Sequence, residues 1–386
     1  MSTTVTVPGA QNTTISETYA DGSNGLAVAN QIAISLAAAK TAGILTVSDW
    51  QSLVLVPTGN IGEIAVTTAG GANVNGSEEG YTYVAIDQSV MGAVTVSGAA
   101  NLFAGNQDIV YNPASGSGTI GLALGDGNNS INLPTGTTYN VGFGNGSDTV
   151  VADGTGTING GTGNNLYTSN GDNVLNTNGQ DTIIAGAGST TVNAFSGDQT
   201  IFGGSGSLVY NGFPGDDPTF IGGNGNATVF GGDGQNITYF DGTGVQQGAN
   251  ILVASFGSET INAGGSSAGV QMAVGNGEDV LTGSTGNDVF YAGDGNATIT
   301  GNGGADAYIF SDSGGGGAMT ITDWTSQDNF VVVGFDGNAA QEAIANGSVS
   351  GGSFVASLPD GTVITFQNVT DPTQIHNQSF PSPTPV

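Results

Sequence analysis

The chain has 386 residues, 69 of them glycine, with one lysine, no arginine, no cysteine and a formal charge of −30. Glycine at this level without a Gly-x-y triplet excludes collagen, and an apolar fraction of 37% excludes a disordered Gly/Ser linker, which leaves a repetitive β architecture. A single base gives phosphate nothing to grip, so nucleic acid is excluded as a partner, and anionic membrane surfaces are disfavoured for the same reason.

Residues 1–22 read T-V-T-V and then T-I-S, a short strand of low charge with an exposed edge, suited to pairing with a neighbouring subunit by strand addition. No basic region precedes the apolar stretch near Leu26, so no Sec-type signal peptide is expected, and no apolar run reaches the ~18 residues of a membrane span. Asn24 to Ala42 predicts a helix: Val28, Ile32 and Leu36 recur every four residues beside Ala29, Ala33 and Ala37, with Lys40 in the last turn and Gly43 as cap. Its alanine face suits close packing on a sheet. From Gly43 to about Ala100 the alternation in I-L-T-V, L-V-L-V, I-A-V-T-T, Y-T-Y-V-A-I and A-V-T-V predicts a small β-domain, sandwich-like. Ile44, Leu53, Val54, Ile64, Val66, Tyr83 and Val84 would form its core, and Glu78 and Glu79 a solvated turn.

A second pattern starts near Asn101 and runs to Phe310. Gly277, Gly286, Gly295 and Gly304 stand nine residues apart, and four positions after each comes Leu281, Phe290, Ile299 or Tyr308. Nine residues of glycine turn plus one inward apolar residue make half a coil of a parallel β-roll, with two turns and two short strands per eighteen residues. Two positions after the glycine stand Asp279, Asp288 and Asp306. Asp288 and Asp306 are one coil apart, which predicts carboxylates stacked on one edge at ~4.8 Å. Like charges at that distance call for a cation, and carboxylates with turn carbonyls, here those at Gly286 and Gly304, suit Ca²⁺. Upstream, Asp108 in G-N-Q-D-I-V and Asp148 in G-N-G-S-D-T-V fall on the same pattern, with Asn129 in the aspartate position between them. Through the middle the period survives while that position reads Asn165, Asn173, Asp181, Thr190, Gln199, Leu208, Asp217 and Ala227, so calcium is expected at a minority of turns. The register falters between Asp241 and Gly265, around Gln246 and Gln247, and returns at Gly257 with Glu259. A metal-free solenoid rich in Gly and Asn is the alternative.

G-S-T-G-N-D-V-F at Gly283 to Phe290 and G-N-G-G-A-D-A-Y at Gly301 to Tyr308 resemble the nonapeptide of the hemolysin-type calcium-binding, or RTX, repeat proteins. M-T-I-T-D-W-T-S-Q-D-N-F-V-V-V at Met319 to Val333 resembles the segment that closes such rolls, with Asp323, Trp324, Asp328 and Phe330 in matching places and Gln327 where the family has glycine. The resemblance implies export from a Gram-negative bacterium by a type I exporter, a C-terminal export signal, folding on external calcium, and a helix that caps the roll.

Trp324 is expected to plug the open end. Ser353 to Val369 predicts a hairpin turning at Asp360-Gly361, and P-S-P-T-P-V an extended tail. The expected fold is thus all-β: a parallel β-roll or β-solenoid over 101–310, an N-terminal arm (1–22), a capping helix with a small β-domain (23–100), and a C-terminal cap, hairpin and secretion-signal tail (311–386). His376 is the one histidine and stands in the tail; there is no cysteine nucleophile, no G-x-S-x-G and no H-E-x-x-H, so an enzyme is not expected. The expectation is a secreted structural protein that folds on calcium and binds copies of itself in a layer, filament or biofilm matrix. The alternative is a monomeric adhesin for a cell-surface glycan. Thr residues, which a face for ice would need in regular pairs, read as scattered.

Overall fold

Strands of three to seven residues, with alternate side chains turned inward, take their hydrogen bonds from the coil before and the coil after. The computed structural model describes residues 1–68, 72–77, 80–98, 101–113, 118–214, 217–233, 236–240, 250–254, 256–312 and 316–380; Glu78, Glu79, Gln246, Gln247 and the tail lie outside them. The chain divides into two units, Met1–Gly197 and Asp198–Val386.

In the first unit, β1 (Ser2–Pro8) pairs antiparallel with β2 (Thr14–Ala20), Val7 facing Ile15. The stretch expected to be a single arm is therefore a hairpin, and Val5, Val7, Ile15 and Tyr19 pack in one cluster with Val28, Ile32 and Leu36 of helix α1 (Asn24–Thr41). The Ser23 side chain accepts the Leu26 N–H at the start of α1, and Gly43 takes φ +70° just past its end, the left-handed turn that glycine reaches without strain.

One parallel sheet runs from Leu45–Asp49 through Ile61–Val66, Tyr81–Ile86, Asn101–Phe103, Gly118–Ala123 and Thr137–Gly142 to Asn173–Thr177 and beyond. The other runs from Ala72–Asn75 to Thr182–Ala185. Residues 45–97 thus form the first coils of the same solenoid and not a separate β-domain. Alternation marks a strand without naming its partner, and the turns here lack the Gly-x-Gly signature that announces the roll downstream. L-V-L-V is no strand: Val54 and Leu55 are 52% and 72% exposed, Ile44 is 38% exposed, and Val56 carries the burial there. Ile64, Val66 and Val84 are in the core as expected.

Helix α1 caps the roll along its side. Its 18 residues span ~27 Å, about six strands at ~4.8 Å. Its apolar stripe rests on Ala65, Ala85, Phe103 and Ala123, the outward residues of successive coils, and on Leu45 and Val47. The three alanines among them let helix and sheet approach closely.

The second unit has two parallel sheets of its own, one from Leu208–Asn211 to His376–Phe380 and one from Thr200–Phe202 to Val363–Phe366. Coil length varies: it is sixteen residues between Tyr167 and Ile183 in the first unit and twenty-four between Ile237 and Ile261 in the second. Ser353–Ser357 turns back on Val363–Phe366, with Gly361 at φ +95° and the Asp360 carboxylate accepting the Thr362 N–H, as the hairpin expectation had it. Trp324 is 9% exposed, its ring 5.7 Å from Tyr308 and 5.0 Å from Phe366, and its indole N–H donates to the Gln374 carbonyl at 3.2 Å. It fills the interior of the last coils. A short helix α2 (Ala339–Asn346) was not foreseen, although A-A-Q-E-A-I-A-N carries good helix formers.

Candidate cation-binding turns

Among the described residues the coils turn at both edges, and in many of these turns one position aims its side chain inward. On the edge leading from the first sheet to the second, this slot holds Asn129, Asp148, Asn165 and Asp181, all 3% exposed or less. Each side-chain oxygen accepts the backbone N–H of the preceding coil: Asn129 that of Ile109 (3.0 Å), Asp148 that of Asn129 (2.9 Å), Asn165 that of Asp148 (2.8 Å) and Asp181 that of Asn165 (2.8 Å). The amides also donate, Asn129 to Asp148 at 2.7 Å and Asn165 to Asp181 at 2.9 Å. Amide and carboxylate alternate, so no two charges are adjacent.

The second unit is arranged differently. On the opposite edge Asp288, Asp306 and Asp328 occupy the slot on three consecutive coils, each at most 2% exposed. Asp288 Oδ1 accepts the Val270 N–H (2.7 Å), Asp306 Oδ1 the Asp288 N–H (2.8 Å) and Asp328 Oδ1 the Asp306 N–H (2.9 Å). Asp288 Oδ2 accepts the Ser284 N–H and Asp328 Oδ2 the Thr325 N–H, both at 2.7 Å. Asp279 holds the slot on the other edge, taking the N–H groups of Glu259 (3.0 Å) and Gly275 (2.8 Å). Asp306 differs in that only its Oδ1 has a donor among the described residues. Gly304, at φ +104°, brings its Cα within the turn so close to the Gly286 carbonyl that a Cβ would stand 2.1 Å from that oxygen.

Of the candidates read from the sequence, Asp148, Asp181, Asp279, Asp288 and Asp306 therefore share this inward geometry, and Asp288 and Asp306 stack as expected. Asp108 and Asp217 stand outside, where they accept the N–H groups of Asn128 (2.8 Å) and Asn236 (2.9 Å). Both fall one residue short of the slot, which Ile109 and Pro218 fill. Ser284, whose hydroxyl donates to Asp288 at 2.7 Å, and Asp323, which accepts the N–H groups of Gly301 and Asn302 at 2.8 Å, complete the C-terminal turns.

Burial pushes the Asp306 carboxyl up to about 8, and the charges of Asp288, Asp328 and Asp323 push the same way. Burial also raises Asp288 to about 6, Asp148 to about 7 and Asp181 to about 6, opposed in each case by the hydrogen bonds just described. Around Asp306 near neutral pH the turn needs either a proton or a cation. Carboxylates and peptide carbonyls are donors of the kind a hard cation takes; in the C-terminal run Asp306 Oδ2 is the oxygen still open to one, as are the buried Oδ2 atoms of Asp148 and Asp181 in the first unit. Among the described residues no three acidic or histidine side chains are grouped as a ready metal cage, so the carbonyls would have to supply most of the shell.

Two carboxylates outside the repeat were missed by the sequence reading. Glu17 (2% exposed) accepts from the Gln107 amide at 3.0 Å, and Glu63 (0% exposed) lies on the sheet under α1 with neither oxygen hydrogen-bonded. The signal for Glu63 was a lone Glu inside an apolar strand, and for Glu17 its place between Ile15 and Tyr19 on the inward side of an alternating strand. Among the described residues no helix is long and apolar enough to cross a membrane. No family model matches the chain, and no curated protein matches it.

Proposed function

We propose that the chain is a secreted structural solenoid of the RTX kind, a building unit that folds on external calcium and binds copies of itself in a layer, filament or biofilm matrix on a Gram-negative cell. The observation that carries this reading is the run Asp288, Asp306, Asp328: three buried carboxylates on consecutive coils, in a chain with one lysine. Asp306, with Asp288 and Asp328 beside it and the carbonyls of the Gly286 and Gly304 turns, would hold the calcium; bound there, the ion offsets the charge that burial opposes. Ligands that bind only the folded state stabilise it, by about 2.7 kcal/mol per site at a hundredfold excess over Kd. Support for a structural role comes from the turn Asn, Asp, Ser and Thr side chains, which join coil to coil. Export and surface location rest on the resemblance of the repeats.

The test is a calcium titration of the stripped chain, followed by circular dichroism and light scattering together. β-Structure followed by growth in mass to regular particles is the expected result. A chain that is as stable in chelator as at millimolar calcium at pH 8, or one that stays monomeric at millimolar calcium, overturns the trigger or the assembly respectively.

A further inference from the structure

Beside the start of α1 the first unit has an open cavity of about 400 Å³. Its floor is Gly160 and Gly161, and a Cβ on Gly161 would lie 1.1 Å from the Gly144 carbonyl oxygen, so the depression cannot be filled by a side chain at that point. One wall is Phe195, 46% exposed. Two amides are fixed at the cavity from different elements: Asn24 of α1 and Asn178 of the following turn both donate to the Gly160 carbonyl, at 2.9 and 3.1 Å. Each thereby keeps its Oδ1 as an acceptor with no donor among the described residues. Asn159 and Asn176, joined at 2.7 Å, continue the amide lining.

None of the lining residues is ionisable. In a chain of net charge −30 this is an uncharged site in a field that repels anions. An exposed aromatic face takes the C–H face of a ring whose edge carries hydroxyls, and fixed amide oxygens accept from those hydroxyls. Pockets of this size enclose small ligands with a few placed polar groups. We propose that the cavity is a binding subsite for a neutral sugar, with Phe195 as the stacking platform and Asn24 and Asn178 as hydroxyl acceptors. This goes beyond the structural role and does not depend on self-assembly.

The test is calorimetric titration of the folded full chain, its folding verified by circular dichroism at the same calcium concentration, with cellotriose, maltotriose, triacetylchitotriose and, as the acidic counterpart, trigalacturonate. At least one neutral trisaccharide should bind and trigalacturonate should not. Phe195→Ala should weaken binding by roughly tenfold or more, Asn178→Ala should weaken it too, and Phe256→Ala, which removes a phenylalanine 78% exposed outside the cavity, should leave it unchanged. Absence of binding by all three neutral sugars at millimolar concentration, equal binding of the acidic one, or binding that survives Phe195→Ala would overturn the proposal.

Discussion

Asp306 shows how a side chain can be right in its position and still undecided in its chemistry. Its carboxyl, near 3.8 in a free chain, is raised to about 8 by burial and by the carboxylates around it, so the folded state binds a proton that the unfolded state has released. Stability from this group is complete below about pH 4 and is lost as pH rises through 8. In chelator the chain should therefore melt at lower temperature at pH 8 than at pH 5. Asp306→Asn keeps an oxygen for the Asp288 N–H and removes the charge; it should raise the melting temperature at pH 8 in chelator and shrink the gain that calcium brings. A variant less stable than the parent at pH 8 in chelator would show that the charge itself is not the burden. The first unit gives the converse. Asn165→Asp would put three carboxylates in a row at 148, 165 and 181, and should destabilise the chain more at pH 8 than at pH 5. The aspartate position was legible from the nine-residue period, since glycine and apolar residues fix it. Whether a side chain enters the slot was not, because Asp108 and Asp217 miss it by one residue, a shift the surrounding glycines do not record.

At the scale of elements, α1 was legible from its four-residue periodicity and its C-terminal Gly43, while its N-cap Ser23 was not singled out. What it rests on was not, since Ala65, Ala85, Phe103 and Ala123 come together through coils whose lengths differ. The same variation hid the threonines: Thr298 pairs with Thr320, and Thr300 bonds Thr322 at 2.8 Å, so residues scattered in sequence align on one face. Beneath α1, Glu63 tests how the helix is held. Burial raises its carboxyl from 4.5 to about 8, against the lowering effect of Lys40. Its contribution is present below about pH 4.5 and lost as pH rises through 8, so ionised Glu63 opposes helix docking by an amount on the order of a few kcal/mol at pH 9. Glu63→Met should raise stability at pH 9 and flatten the loss between pH 6 and 9, read by thermal melts; an unchanged profile would mean the helix lifts and lets water reach the carboxylate without cost.

For the whole molecule the question is whether charge is relieved generally or at one place. Thirty-one carboxylates against one lysine repel at long range, and salt at ~0.15 M already screens that repulsion beyond ~8 Å. The stacked run at Asp288, Asp306 and Asp328 lies inside that distance, one coil to the next, and is buried, so salt reaches it poorly. General repulsion and the local run thus respond to different ions. Titrating calcium at fixed ionic strength, with sodium making up the difference, should still fold the chain with a midpoint of ~10⁻⁴ to 10⁻³ M, the range of weak extracellular sites. Magnesium, which gives up its water reluctantly and demands a tighter shell, should need more. Replacing Asp288 and Asp306 together by Asn should move the calcium midpoint upward by tenfold or so while leaving the dependence on sodium unchanged, because two charges of thirty-one alter the long-range field little. A double variant whose calcium and sodium curves shift together would mean that calcium acts only as a better screening ion, and the C-terminal turns would then be a hydrogen-bonded ladder with no resident cation.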